Sequence, residues 1–353
     1  MDATPIPVTI VTGFLGSGKT TLLNALLREP ALSNSAVLIN EFGEVQIDHD
    51  LVADFTDELV MTTTGCICCT ASSDIKQSLF DLWEKQSNDG IKPFKRVIVE
   101  TTGLMDPVPV INSLLLPPTD DPVEKTVSQI FVLSRVVTLF DIIFGPMALE
   151  QNEEALKQVV LADAILLTKT DLAQDPATLN DIQSDRKQLS LLNPTGKILD
   201  RQTDWTHLCN LFCHSTSYNL QGRGKDVEAW MDADRLQKLE PHDHSEHANM
   251  DFTRHSEDIC SHVIILDQPV SASSLDRFLE YLKGNAGTDL LRLKAILGLT
   301  NDPDHPIVLH GIQHTIYPVE KLQDWPGSDR RSKFVLIGRN LDIDFCHDLL
   351  KQQ

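Results

Sequence analysis

The chain has 353 residues, 41% apolar and 23% charged, long enough for two domains with separate cores and too apolar for wholesale disorder. Its formal net charge of −21 argues against a nucleic-acid partner, because phosphate backbones are held chiefly by Lys and Arg. No uninterrupted apolar run of about 18 residues could span a membrane; an odd count of seven cysteines and a first strand near Val8 lead to the expectation of a cytoplasmic protein with reduced thiols and no removable leader.

Val8-Thr9-Ile10-Val11 reads as a buried strand, and residues 22–27, mostly leucine, read as a helix. Between them, Gly13-Phe14-Leu15-Gly16-Ser17-Gly18-Lys19-Thr20-Thr21 fits the phosphate-loop pattern G-x-x-x-x-G-K-[ST] at every fixed position. Gly13, Gly16 and Gly18 let the backbone curl so that N–H groups of the loop, Ser17 and Thr21 included, turn toward phosphate oxygens at a helix N-terminus. Lys19 reaches the terminal phosphates, and the Thr20 hydroxyl meets Mg²⁺.

Ala36-Val37-Leu38-Ile39 is a second strand, followed by a polar segment over 40–48 that sits where a switch loop is expected. Asp48 is its candidate for Mg²⁺ or the attacking water, with a solvated acidic loop as the plainer alternative. After a strand over 58–62 come Cys66-Ile67-Cys68-Cys69, three thiols within four residues. Thiolates are soft ligands suited to zinc or copper(I); small buried side chains are the alternative, and the spacing, lacking an evident fourth ligand, favours an exchangeable metal over a structural one. A helix over 72–84 carries Ile75, Leu79 and Leu82 on one face.

Arg96-Val97-Ile98-Val99-Glu100 is a strand ending in a carboxylate, with Gly103 three positions on. Glu100 is placed to hold Mg²⁺ through water, and the Gly103 N–H to sense the γ-phosphate. A strand over 130–139 and another over 164–167 follow, the latter leading into Thr168-Lys169-Thr170-Asp171. Guanine is read elsewhere by Asn-Lys-x-Asp, whose aspartate accepts from the ring N–H and exocyclic amine. Here Thr168 stands for the asparagine and its hydroxyl could cover part of that role, so guanine selectivity is expected with weaker nucleotide affinity; a plain strand-end turn is the alternative. Cys209 and Cys213, flanked by His207 and His214, fall on an amphipathic helix with Leu208, Leu211 and Phe212 and read as packing. Residues 219–257, carrying His242, His244 and His247 among acids, read as a linker with a secondary reading as a weak metal relay. From 258 on, strand and helix alternate as in a small α+β domain.

Together, Gly13 to Thr20, Asn40-Glu41-Phe42-Gly43-Glu44, Cys66-Ile67-Cys68-Cys69, Glu100-Thr101-Thr102-Gly103 and Thr168-Lys169-Thr170-Asp171 resemble the CobW-type metallochaperone GTPases, relatives of the urease and hydrogenase accessory GTPases. Segments 290–294, 308–313 and 334–338 look like that family's second domain. The resemblance implies a P-loop NTPase α/β fold, a doubly wound and mostly parallel sheet over 1–218, followed by a smaller α+β C-terminal domain over 258–353. It implies a GTPase whose thiol loop binds a transition metal, commonly Zn²⁺. With GTP and Mg²⁺ as cofactors, the motif reading makes Lys19, Asp48 and Glu100 the catalytic groups; thiolate chemistry leaves Co²⁺ as an alternative metal, and the placement of the thiol loop between the switch segments suggests Glu41 as an added oxygen ligand. Nucleotide state would then govern handover to a client metalloprotein. No catalytic glutamine or arginine finger is evident, so slow intrinsic turnover is expected. A metal-buffering protein and a small-molecule phosphotransferase with structural zinc are the rival readings.

Overall fold

Runs rich in Val, Ile and Leu can be buried on both faces only if helices cover both sides of a sheet, and parallel strands joined by helical crossovers meet that need. The computed structural model describes residues 5–40, 60–64, 71–88, 91, 93–173, 176–202, 204–213, 259–286 and 289–351. It opens with β1 (Ile6–Gly13), α1 (Lys19–Leu26), β2 (Ser35–Asn40), β3 (Val60–Thr64), α2 (Ala71–Ser87), β4 (Arg96–Glu100), α3 (Val108–Leu115), α4 (Pro122–Ile130) and β5 (Phe131–Asp141). Then come α5 (Gly145–Gln151), α6 (Glu153–Val160), β6 (Ala164–Thr168), α7 (Pro176–Leu192), β7 (Lys197–Asp200) and α8 (Trp205–Cys213). The seven strands lie in the order β3-β2-β4-β1-β5-β6-β7, and the pairings from β3 through β6 are all parallel. This is the doubly wound α/β sheet expected from the sequence.

The described residues fall into two compact units, one drawn from Met1–Pro146, Ala162–Leu179 and Ile198–Asn219, the other from Met147–Leu161, Asn180–Lys197 and Leu220–Gln353. In the first, Leu22, Leu23 and Leu26 of α1 pack on Val11, Val37, Ile98, Val137, Leu139 and Leu166 from five neighbouring strands. Leu208 and Phe212 of α8 join the same cluster, with Cys209 and Cys213 partly buried against it. The expected amphipathic helix is therefore present. Burial pushes the Cys209 thiol up to about 11, helped by the charges of Glu29 and Cys213, so it stays protonated.

The second unit carries a six-stranded antiparallel sheet formed by β8 (Ile259–Leu266), β9 (Leu290–Leu299), β10 (Asp302–Ile312), β11 (Thr315–Ile316), β12 (Glu320–Lys321) and β13 (Ser332–Arg339), with α9 (Ala272–Tyr281) and α10 (Ile343–Lys351). Its order is β11-β10-β9-β13-β8, with β12 on β10. One face packs Leu293, Leu309, Phe334 and Leu336 against Phe278 and Leu349 of the two helices. The Phe278 and Phe334 rings meet edge to face, centroids 5.4 Å apart, and both are fully buried. Within this unit Arg292 donates to the Val160 carbonyl (2.9 Å) and Ser261 to that of Leu191 (2.6 Å). Among the described residues no helix is long and apolar enough to cross a membrane.

Candidate functional site

Parallel strands deliver their loops to one edge of the sheet, and a crevice opens there where the strand order reverses. Here the reversal is at β1, which lies between β4 and β5 while the chain runs on from it to β2. β1 ends at Gly13, whose φ of 141° suits only glycine and whose ideal Cβ would lie 2.5 Å from the Leu139 carbonyl oxygen. Gly16 and Gly18 also have positive φ, at 71° and 90°, and Gly18 is the residue from which α1 starts. The loop thus curls over the α1 N-terminus as the motif predicts. Lys19 folds back across it, donating to the carbonyls of Gly13 (2.8 Å) and Phe14 (3.3 Å). Ser17 is buried, its hydroxyl without a hydrogen-bond partner among the described residues, and Thr21 is exposed in the first turn of α1.

The register sets Glu100, the last residue of β4, beside Val11 on one side and Ile39 on the other. Its carboxylate is 5% exposed, and Oε1 accepts from the Thr20 hydroxyl at 3.0 Å. A hydroxyl and a carboxylate meeting at a helix N-terminus form a hard oxygen pair of the kind Mg²⁺ takes beside phosphates, so these residues fit that ion. Thr101 N–H holds the Val11 carbonyl (3.0 Å), drawing the β4 loop in. A Cβ on Gly103 would lie 2.7 Å from the Leu15 nitrogen and 2.8 Å from its Cα, so only glycine permits this approach to the phosphate loop.

The base-reading turn leaves β6. Thr168 is buried, and its hydroxyl donates to the Ser17 carbonyl at 2.9 Å, with the Phe140 carbonyl at 3.3 Å. Threonine at this position therefore ties the turn to the phosphate loop. Lys169 adopts the left-handed conformation, φ 61°, and its ammonium lies 2.6 Å from the buried Asp141 carboxylate and 5.5 Å from the Phe144 ring centroid. Asp171 is exposed and accepts from Gln202 Nε2 at 3.3 Å. Asp200 Oδ1 accepts from both the Thr170 hydroxyl (2.9 Å) and Gln202 N–H (2.8 Å), locking the loop after β7 to the loop after β6. Asp141, Asp200 and Gln202 were missed in the sequence. The first two end strands in a carboxylate just as Glu100 does, and the same rule would have flagged them.

Two family models match the chain: "CobW/HypB/UreG, nucleotide-binding domain" over residues 7–197 and "Cobalamin synthesis protein cobW C-terminal domain" over 259–353. The chain belongs to the CobW/HypB/UreG family. Among its relatives, the zinc chaperone YjiA of Escherichia coli is 31% identical over 337 residues, covering 96% of this chain and 95% of the relative. A zinc-regulated GTPase metalloprotein activator 1 of Schizosaccharomyces pombe is 27% identical, covering 96% of this chain and 83% of its own length. The crystal structure of Zn(II)-bound YjiA GTPase from E. coli superposes with a TM-score of 0.66 at 26% identity, over 99% of this chain and all of that one. The nucleotide-binding-domain match thus accounts for residues 7–197 and the cobW C-terminal-domain match for residues 259–353.

Other expected residues fall elsewhere. Glu41, Asp48, Cys66, Cys68, Cys69 and the histidines of 219–257 lie outside the described residues. Among the described residues no group of three His, Cys, Asp or Glu is placed to hold a metal ion. The last described residues before Glu41 and Cys66, namely Asn40 and Thr64, are paired where β2 and β3 end.

Proposed function

We propose that this chain is a GTP-hydrolysing metallochaperone that carries a transition metal, zinc foremost, on Cys66, Cys68 and Cys69 and releases it to a client protein under nucleotide control. The observation that supports coupling most directly is the register of β2, β3 and β4. Asn40 pairs with Thr64 and Ile39 with Glu100, so the described ends of β2 and β3 lie one and two strands away from Glu100, whose carboxylate receives Thr20. Near full-length relatives named as a zinc chaperone and a zinc-regulated GTPase support the choice of nucleotide and metal.

In this reading Gly13 to Thr21 bind the phosphates, Lys19 leaves its two carbonyls to meet their charge, and Thr20 with Glu100 holds Mg²⁺. When bound, Mg²⁺ neutralises charge developing on the transferred phosphoryl group. Gly103 reports the γ-phosphate through its N–H, Asp48 orients the attacking water, and Lys169 and Asp171 select guanine. The thiolates of Cys66, Cys68 and Cys69, with Glu41 as an oxygen donor, grip zinc while the triphosphate orders the segments leaving β2 and β4, and loosen it after hydrolysis. Turnover by the isolated chain is slow.

Reciprocity makes the scheme testable, because metal must tighten GTP by the factor by which GTP tightens metal. Zinc affinity is measured by chelator competition without nucleotide, with GDP·Mg²⁺ and with a non-hydrolysable GTP analogue and Mg²⁺. Tightening of about tenfold or more with the analogue, ~1.4 kcal/mol of coupling, is expected. Equal affinity in all three states would sink nucleotide control and leave a buffering protein.

A further inference from the structure

We infer that Gln202 reads the O6 edge of guanine, supplying from the loop after β7 the primary amide that Thr168 lacks; the inference rests on the nucleotide site proposed above. Guanine presents a donor, N1–H, beside an acceptor, O6. A site that reads both needs an acceptor next to a donor. Asp171 Oδ1 and Gln202 Nε2 form such a pair at 3.3 Å, on side chains from two different loops that are both exposed. A primary amide has two N–H groups, so donating one to Asp171 leaves the other available. Adenine presents the reverse pattern, an amino group where guanine has O6 and a bare N1, so it would set donor against donor and lone pair against carboxylate.

The loop is held where this task needs it. Asp200 Oδ1 accepts from the Gln202 N–H and from the Thr170 hydroxyl of the neighbouring turn, while Arg201 N–H reaches the Leu167 carbonyl at 3.1 Å. Thr168 cannot do the reading itself, since its buried hydroxyl is directed onto the Ser17 and Phe140 carbonyls. Asp200 is a positioning residue; Gln202 and Asp171 touch the base.

The test compares GDP with 6-thio-GDP, which keeps N1–H and the 2-amine but replaces O6 by a weakly accepting sulfur. Affinities are measured by fluorescence competition on the full chain for the wild type, Gln202→Ala, Gln202→Glu and Asp171→Ala. The wild type should prefer GDP to 6-thio-GDP, and Gln202→Ala should weaken GDP about five- to tenfold while changing 6-thio-GDP little, so the preference collapses. Gln202→Glu, an acceptor facing an acceptor, should weaken GDP further. If Gln202→Ala weakens both nucleotides equally, or neither, the inference is overturned while the nucleotide site stands, shown by tight wild-type GDP binding that Asp171→Ala destroys. Wild-type protein that binds no guanine nucleotide overturns both. Since Gln202 is exposed, neither substitution threatens folding.

Discussion

The two sheets of this protein differ in where their charged side chains lie. In the parallel sheet carboxylates stand at the carboxyl ends of the strands: buried Glu100 ends β4 and meets Thr20, buried Asp141 ends β5 and meets Lys169, and half-buried Asp200 ends β7 and meets Thr170. Each couples one loop to the next, so the polar groups converge on a single crevice. In the antiparallel unit the buried charges of Arg292, Lys294 and Lys333 are spread along β9 and β13 rather than gathered at strand ends, and the apolar core lies on one face of the sheet. Hairpin-connected strands alternate in direction, so their ends do not share an edge, and nothing in that topology collects side chains to one place. Function is concentrated where topology concentrates loops.

The largest expected effect sharpens that contrast from the site side. Lys19→Ala removes the ammonium folded over the phosphate loop, and should lower nucleotide affinity by about a hundredfold or more, on the scale of a lost preorganised donor. The melting temperature without nucleotide should fall only modestly, because the two lost bonds, one buried and one part-buried, are local to the phosphate loop. Titration with a fluorescent guanine nucleotide alongside a thermal melt separates the two. A collapse of the fold would show that the loop depends on Lys19 for structure rather than for binding.

From the other unit the expectation is reversed. Phe334 is fully buried and edge-on to Phe278, so Phe334→Ala should cost about 3–5 kcal/mol of stability in that unit. Guanine-nucleotide affinity per folded molecule should stay within about threefold. Denaturant unfolding read against nucleotide binding checks this, and a proportional loss of binding would mean the two units act as one.

The fold was readable because hydrophobic runs and loop chemistry agreed. The apolar segments 8–11, 36–39, 96–100 and 164–167 each became a parallel strand, and the helix expected over 72–84 is α2, extended to Ala71–Ser87. The strand expected over 58–62 is β3, two residues later, since a short run of Val, Met and Thr gives no sharp edge. The phosphate loop was legible because its spacing is fixed by backbone geometry. The base site was legible only in part: Lys169 and Asp171 share one motif, whereas Gln202 is 31 residues from Asp171 and meets it because the strand pairing sets β7 beside β6. No local pattern encodes such a meeting. The hydroxyl of Thr168 was equally opaque, because its acceptor lies 151 residues away on Ser17.

The smallest effect concerns a polar group in the second unit that converges on nothing. Asp185 lies on the buried face of α7 with Ile182, Leu189 and Leu192, is 7% exposed, and its Oδ2 has no hydrogen-bond partner among the described residues. Burial, with the nearby charge of Asp181, raises its carboxyl from the ordinary 3.8 to about 6. The folded state then binds a proton that the unfolded chain has released between those two values, so this group's effect on stability worsens as pH rises through that window. Below the lower value both states are protonated and no penalty applies; above the upper value it is fully in force. Asp185→Asn keeps the shape and removes the charge, and should gain about 1–2 kcal/mol at neutral pH and nothing near pH 3. Urea unfolding of both proteins across that range measures the difference directly, with other carboxylates cancelling between them. A flat difference would show that the carboxylate is solvated or paired in the folded protein.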